Sequence, residues 1–115
     1  MQKRSEFSRY NDGVVHIYRD TDRRSNFGAK LNVSSVDDLQ FIAKLSYAEQ
    51  SKRQQDSEFA NQMGFSLDLK IKTRYIKGVD NKCKAVIDGY LYDIDYVDST
   101  KTDLFLYMQG VGSLA

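Results

Sequence analysis

The chain has 115 residues, a length that fits one domain and leaves too little for a second folded unit. Its 17 Lys and Arg residues nearly balance 16 Asp and Glu residues, and the formal net charge of +1 excludes the strongly basic field of proteins that coat nucleic acid. A hydrophobic share of 41% with 29% charged residues is typical of a globular domain, and no apolar stretch approaches the roughly 18 residues of a membrane span.

The first 38 residues predict one strand between polar segments. Residues 1–13 show no periodic pattern of apolar side chains, which predicts a flexible arm. Val14–Arg19 is rich in β-branched and aromatic residues and lies between turn formers, so it predicts the first strand. Residues 20–38 are dense in turn-forming residues and predict a long loop with a short strand at Ala29–Val33.

The second strand is predicted over Phe41–Ala48, where apolar side chains alternate. Four alternate residues would share one face of this strand: Phe41, Ala43, Leu45 and Tyr47. After this strand, residues 49–66 lose the alternation and become rich in Gln, Ser and charge, with helix formers concentrated at Ser57–Met63. This segment is predicted to be a mobile, partly helical connection between the second and third strands.

Four further strands are predicted in the second half of the chain. They are separated by turn formers and cover Leu67–Tyr75, Lys82–Asp88, Tyr90–Val97 and Asp103–Met108. The Asp-Gly pair at positions 88 and 89 is typical of a tight β-hairpin. Six strands without any proline to guard an edge predict an all-β fold, a small six-stranded antiparallel barrel or sandwich with long loops. The domain would cover residues 14–109, and residues 110–115 would form a tail.

Two carboxylates at alternate positions, Asp93 and Asp95, are the first candidates for catalysis. On a strand they would share a face about 7 Å apart, a spacing compatible with acid–base chemistry or with a metal. A solvated strand face explains the same pattern, and exposed Asp is the commoner case. We therefore predict a protein that is not an enzyme and has no catalytic residue.

Metal, nucleotide and nucleophile motifs are absent from the sequence. His16 is the only histidine and Cys83 the only cysteine, too few for a zinc site in one chain. Cys83 lies in a strand pattern, which favours a buried or interface thiol over a nucleophile activated by His16. Asp20 and Asp22 begin like a calcium-binding loop, but the residues after them do not continue that motif. The dispersed glycines form no phosphate-binding loop, so the sequence predicts no cofactor and no metal.

Aromatic residues and the distribution of charge leave two binding hypotheses open. Tyr90, Tyr92 and Tyr96 could stack on the bases of single-stranded nucleic acid, or they could belong to the core and an interface. Residues 1–53 carry a net charge of +3 and residues 54–115 a net charge of −2. This asymmetry is compatible with self-assembly through complementary patches, with loose contact to DNA, or with a plain solvated surface.

Three consecutive segments of the second half carry a family resemblance: residues 71–75 (IKTRY), 76–85 and 89–94 (GYLYDI). In order and spacing they resemble the head-closure, or head-tail joining, proteins of long-tailed bacteriophages. Those proteins have an Arg-Tyr pair at a strand end, an apolar strand, a Gly-x-x-Tyr-x-Ile hairpin and a last strand similar to Asp103–Met108. Upstream, Phe41–Leu45 resembles an aromatic-Ala-Lys segment in which Trp is common at the first position. The resemblance covers roughly residues 14–109.

This resemblance implies a virion structural protein of the head-tail connector. Such subunits form a homo-oligomeric ring, expected to be a dodecamer, below the portal and the adaptor. The ring stops the DNA channel after packaging, holds the DNA until ejection, and binds a tail-completion or tail-terminator protein on its lower side. The connection between the second and third strands, here residues 49–66, would enter the channel and contribute to a gate. The protein is expected in the host cytoplasm during assembly and then in the virion, without membrane contact.

Candidate site residues follow from the resemblance and the residue chemistry together. The gate segment offers hydrogen-bonding groups to symmetry copies and cations to DNA phosphates through Glu49, Gln50, Ser51, Lys52, Arg53, Gln54, Gln55 and Gln62. Its contact with packaged double-stranded DNA would be non-specific. The polar face of the strand Leu67–Tyr75 is expected to supply the ring and docking interface through Lys70, Lys72 and Arg74. The alternatives are an OB-like single-stranded nucleic-acid-binding protein and, for residues 49–66, a plain solvent loop.

Overall fold

The computed structural model describes residues 10–20 and 39–113. This part of the chain forms six strands and one helix, in the order β1 (Gly13–Asp20), β2 (Leu39–Gln50), α1 (Gln54–Met63), β3 (Leu69–Arg74), β4 (Cys83–Ile87), β5 (Tyr90–Ser99) and β6 (Asp103–Ser113). The predicted six-stranded antiparallel barrel and the helix between its second and third strands are confirmed. The short strand predicted at Ala29–Val33 lies outside the described residues.

The strands close into a ring in the order β1-β2-β3-β6-β5-β4, and every neighbouring pair is antiparallel. β1 completes the ring by pairing with β4, from His16 opposite Val86 to Arg19 opposite Cys83. Because the sheet closes on itself, none of the six strands is left as a free edge that could pair with another chain.

The hairpin between β4 and β5 forms at the predicted Asp-Gly pair. Asp88 has φ 51° and Gly89 has φ 77°. Two consecutive residues with positive φ are what a two-residue turn needs to match the twist of its flanking strands. The two residues therefore fix the register of β4 against β5, which begins with Ile87 opposite Tyr90.

The interior of the barrel is filled by apolar side chains from all six strands. Its fully buried members include Val15, Ile17, Ile71, Ile94, Leu104, Leu106 and Met108. These side chains form one continuous cluster, so the barrel has a packed core and no lumen.

A β-bulge in β2 changes the face on which its first residues lie. Ile17 of β1 pairs with Ala43, whereas the next residue, Tyr18, pairs with Phe41, so Ile42 is the extra residue. The bulge reverses the alternation, and the prediction that Phe41 shares a face with Leu45 and Tyr47 is wrong. The Phe41 side chain is 54% exposed on the outer face, with its ring centroid 5.6 Å from that of Tyr18.

Both predicted ends of the domain extend beyond the expected boundaries. β6 continues to Ser113, so residues 110–113 belong to the barrel and not to a tail. At the other end, Asp12 accepts a hydrogen bond from the Glu49 backbone N–H at 2.7 Å, and the Tyr10 hydroxyl donates to Asp103. The arm predicted over residues 1–13 is therefore anchored to the barrel from residue 10 onward.

Candidate functional site

The expected gate segment is a structured cover on one side of the barrel. Glu49 and Gln50 end β2, residues 51–53 form a short exposed link, and α1 carries Gln54, Gln55 and Gln62 on exposed positions. The predicted partly helical character of this connection is confirmed, with the helix over Gln54–Met63.

Three residues of α1 explain why the helix packs against the sheet. Asp56, Phe59 and Ala60 are spaced so that they share one face of the helix, and Asp56 and Ala60 are 5% and 1% exposed. At the end of the helix, Gly64 adopts φ 88° and its N–H donates to the Asn61 carbonyl, which lets the chain turn back toward β3.

A buried ion pair joins this helix to β3. The Lys70 ammonium lies 3.3 Å from Oδ2 of Asp56, and both side chains are less than a tenth exposed. The same Asp56 oxygen accepts hydrogen bonds from the backbone N–H of Arg53 at 3.1 Å and from its Nε at 3.4 Å. Burial raises the pKa of Asp56, but the hydrogen bonds from Arg53 and Lys70 outweigh burial and hold the pKa below its ordinary value of 3.8.

Aromatic side chains surround the ion pair. The Phe59 ring meets Tyr96 edge-on at a centroid distance of 4.8 Å and Tyr107 at 6.0 Å, and these two tyrosines lie 5.4 Å apart. The Lys70 ammonium lies 5.0 Å from the centroid of Tyr107, within cation–π range. The charge pair is therefore enclosed by aromatic surface, where it is poorly screened by solvent.

The three cations expected at the docking interface have different environments. Lys70 is only 7% exposed beneath α1, so it is not accessible to another protein. Lys72 is half-buried, with its ammonium 6.0 Å from the Tyr10 ring, and Arg74 is exposed. The alternation of β3 places all three on the outer face of the barrel, but only Lys72 and Arg74 are available for contact.

A second bulge separates Asp93 from Asp95, the two carboxylates that were predicted to share one face of a strand. Ile94 pairs with Met108 and Tyr96 with Tyr107, so Asp95 is the extra residue and does not share a regular face with Asp93. Asp93 forms an ion pair with Lys84 at 2.5 Å. Asp95 lines an open cavity of about 380 Å³. Its Oδ2 atom is inaccessible to solvent and has no hydrogen-bond partner among the described residues.

Replacing Asp95 by Asn is expected to stabilise the protein. Burial, followed by the charge of Asp93, raises the pKa of Asp95, so its ionised form is disfavoured in the folded state and costs stability above the raised pKa. We expect the free energy of unfolding at pH 7 to rise by about 1 kcal/mol, because Asn keeps the size of the side chain and removes the charge that the folded state disfavours.

Urea unfolding of the wild-type and Asp95→Asn proteins at pH 7 and pH 4 measures this effect. The gain should shrink at pH 4, because protonation makes the wild-type carboxyl neutral as well. A loss of stability at pH 7 would show that the Asp95 carboxylate has a partner that the structure does not reveal.

The three tyrosines of β5 do not form one stacking surface. The bulge at Asp95 places Tyr96 on the outer face under α1, whereas Tyr92 packs against the core. Tyr90 and Tyr92 remain neighbours at the opposite end of the strand, with ring centroids 5.0 Å apart. The hypothesis of single-stranded nucleic-acid binding depends on one surface with all three tyrosines. In the structure Tyr96 lies apart from Tyr90 and Tyr92.

His16 and Cys83 lie on different sides of the barrel wall. His16 is on the outer face, with its ring 6.5 Å from that of Phe41, and Cys83 is 1% exposed in the core. Burial raises the pKa of the Cys83 thiol, which disfavours the thiolate that a nucleophile needs. Within residues 10–20 and 39–113, no three His, Cys, Asp or Glu side chains are grouped so as to hold a metal ion.

No protein-family model matches the chain, and no curated protein matches it either.

None of the helices in the described parts of the chain combines the length and the apolar character needed to cross a membrane.

Proposed function

We propose that the chain is a structural protein of a bacteriophage head-tail connector. In this role it forms a ring below the portal and adaptor, stops the DNA channel after packaging, and provides the docking site for the tail. It performs no chemical reaction. The subunit is made in the host cytoplasm and ends in the virion at the junction of head and tail.

The observation that carries this proposal is the position of α1 on a closed, solid barrel. The resemblance of residues 14–109 implies a barrel whose second and third strands are joined by a long segment that faces a channel, and α1 occupies that connection. Because the barrel interior is filled by its own core, one subunit cannot conduct DNA, and a channel requires several copies around an axis.

The exposed surface of the helix suits a channel wall. Its accessible side chains are mainly uncharged amides, including Gln54, Gln55 and Gln62, which can pair with neighbouring copies. Lys52 and Arg53 at its start are exposed and can meet phosphates without reading bases. We assign Lys70 a structural role, because it pairs with Asp56, and keep Lys72 and Arg74 as docking residues.

The test uses phage heads that have packaged DNA but lack this protein. Adding the purified wild-type chain should restore nuclease protection of the DNA and allow tails to join. Protein carrying Lys72→Glu and Arg74→Glu should fold normally but fail to join heads to tails. Protein carrying Lys44→Glu, a charge reversal at an exposed site on the neighbouring strand β2, is the matched control and should behave as wild type.

Failure of the wild-type protein to protect the DNA or to join tails would contradict the proposed function. If the Lys72 and Arg74 variant joins heads and tails normally, the docking surface lies elsewhere on the barrel.

A further inference from the structure

The cavity beside Asp95 has no role in the proposed function. It lies between the last residue of α1, the connection from β3 to β4, and the second half of β5, and every residue that lines it belongs to the described part of the chain. Its volume of about 380 Å³ is within the range of sites that bind small molecules. A cavity of this size can also hold one long side chain of another protein.

The carboxylate of Asp95 has no partner at this cavity. Its Oδ2 atom is inaccessible to solvent, its Oδ1 atom is accessible, and neither accepts a hydrogen bond from a described residue. The cation that acts on Asp95 is Lys84, but the Lys84 ammonium is paired with Asp93 at 2.5 Å and lies 3.9 Å from Asp20. A partly buried charge without a counter-ion costs stability, so Asp95 attracts a cation that enters the cavity.

The C-terminal end of α1 adds negative potential at the same place. Met63 is the last residue of the helix and lines the cavity, and the last turn of the helix carries no basic residue. The carbonyl groups at a helix end carry a partial negative charge of roughly half an elementary charge, which favours a cation nearby. Asp80 contributes a second carboxylate to the lining, although it is already paired with Arg19 at 3.5 Å. These groups favour a positively charged ligand over a neutral or negative one.

The remaining lining of the cavity suits an aliphatic chain. Met63, Val79 and Val97 contribute apolar side chains, and Met63 is 56% exposed. Tyr96 adds an aromatic surface, whose ring is held by Phe59 at a centroid distance of 4.8 Å. Apolar atoms beside one carboxylate match an alkylammonium group, because its stem is hydrocarbon and only its end is charged.

The accessibility of the Asp95 oxygens distinguishes lysine from arginine as a ligand. A guanidinium binds a carboxylate best through two parallel hydrogen bonds, which need both oxygens. Only Oδ1 of Asp95 is accessible, so this paired geometry requires the side chain to move. An ammonium is a compact charge and needs one oxygen only. The site therefore favours lysine over arginine.

We propose that this cavity binds the side chain of a lysine presented by another protein. The ammonium pairs with Oδ1 of Asp95, and the methylene stem lies against the apolar lining. The peptide groups beside the lysine meet the side chains of Asn81 and Ser99, which also line the cavity and have no hydrogen-bond partner among the described residues. These two polar groups favour a lysine within a polypeptide over a free amine. The proposal stands on the cavity alone and does not depend on a role in a phage connector.

Binding of small probes to the complete chain tests the site. Three probes are blocked amino acids: Nα-acetyl-lysine amide, Nα-acetyl-arginine amide and Nα-acetyl-norleucine amide. The norleucine probe has the methylene stem of lysine without the ammonium. The fourth probe, 1,5-diaminopentane, is a free diamine without peptide groups. Titration followed by saturation-transfer NMR measures each Kd, and this method works for a single subunit and for an assembly.

The lysine probe should bind with a Kd of about 1 mM, as expected for so small a ligand, and at least as tightly as the diamine. The norleucine probe should bind about tenfold more weakly, and the arginine probe about threefold more weakly. Asp95→Asn should weaken binding of the lysine probe by about tenfold and leave the norleucine probe unaffected. Asp98→Asn removes an exposed carboxylate of the same strand that does not line the cavity. As the matched control, it should change binding by less than about twofold.

The proposal is overturned if the lysine probe does not bind at about 10 mM, if norleucine binds as tightly, or if Asp95→Asn leaves lysine binding unchanged. Arginine binding as tightly as lysine would show that the site does not select an ammonium. A diamine that binds about tenfold more tightly than the lysine probe would identify a free amine as the ligand instead of a protein. Asp95→Asn is expected to be at least as stable as wild type, and its unfolding curve separates lost binding from lost folding. No phage heads are used, so this result and the test of the proposed function are independent.

Discussion

Replacing Asp56 by Ala is expected to destabilise the protein by about 3 to 5 kcal/mol, because the substitution leaves the Lys70 ammonium buried without its counter-ion. The same change removes the acceptor for the Arg53 backbone N–H at the start of α1. Urea unfolding at pH 7 measures the loss as a lower midpoint at nearly constant slope. Folded domains usually have a free energy of unfolding of roughly 5 to 15 kcal/mol, so this substitution would remove a large part of it.

Two controls separate the ion pair from the helix itself. Asp56→Leu combined with Lys70→Met removes both charges, and we expect most of the stability to return because neither group is left unpaired. Glu58→Ala changes an exposed carboxylate on the same helix and should alter stability by no more than about 0.5 kcal/mol. If Asp56→Ala resembles Glu58→Ala, then α1 is not held by this pair.

Acid should weaken the attachment of α1 in a defined direction. The pKa of Asp56 is lowered in the folded state, so its contribution to stability is complete above its ordinary value of 3.8 and is lost as the pH falls through the lowered pKa. Asp56→Asn should therefore reduce the steepness with which stability falls below pH 3.8. Unfolding curves of both proteins between pH 5 and pH 2 measure the difference, and parallel pH profiles would show that Asp56 titrates normally.

The strands could be predicted from the sequence because two local signals agreed. Alternating apolar residues fixed the inward face of β3, and Asp-Gly fixed the turn between β4 and β5. Predicted and observed strand ends differ by two residues or fewer everywhere except at the end of β6, where residues 109–113 lack an alternating apolar pattern. That last part is held by pairing with β5, which is a non-local contact.

The errors in predicting the candidate site have one physical source. Which side chains are buried depends on contacts between residues that are distant in sequence. Bulges moved Phe41 and Tyr96 to the outer face, and simple alternation cannot anticipate an extra residue. Asp56 and Lys70 have the composition of surface residues, and they are buried only because α1 brings them together. The available signal was the spacing of Asp56, Phe59 and Ala60 on one helical face.

Deleting the connection would not give a clean test of the gate. Replacing residues 51–63 by a short Gly-Ser link costs only about 1 kcal/mol or less in loop entropy. It would also expose Lys70, Tyr96 and Tyr107, whose cover is α1. A shortened protein that loses DNA could therefore have lost its fold and not its gate, so the helix has to be changed on its outer side alone.

Gln55→Ala combined with Gln62→Ala is expected to abolish retention of packaged DNA while leaving the subunit folded. The two residues are seven positions apart and lie on one exposed stripe of α1, away from Asp56 and Ala60. Ala is the strongest helix former, so the free energy of unfolding should change by less than about 0.5 kcal/mol. In the proposed ring every subunit would carry the same loss, so a small change per copy would be enough to open the channel.

The measurement is nuclease sensitivity of DNA in tail-less heads that have received the purified protein. Wild-type protein and the Lys44→Ala control should protect the DNA. With the glutamine variant, the fraction of packaged DNA lost to nuclease should be at least ten times the fraction lost with wild-type protein. Sedimentation of the treated heads establishes that the variant is bound. If bound variant protects the DNA as well as wild type, the exposed amides of α1 do not close the channel, and the helix serves only to cover the Lys70 face of the barrel. A bound variant that loses the DNA yet still joins tails would place closure on the helix and docking on a separate surface.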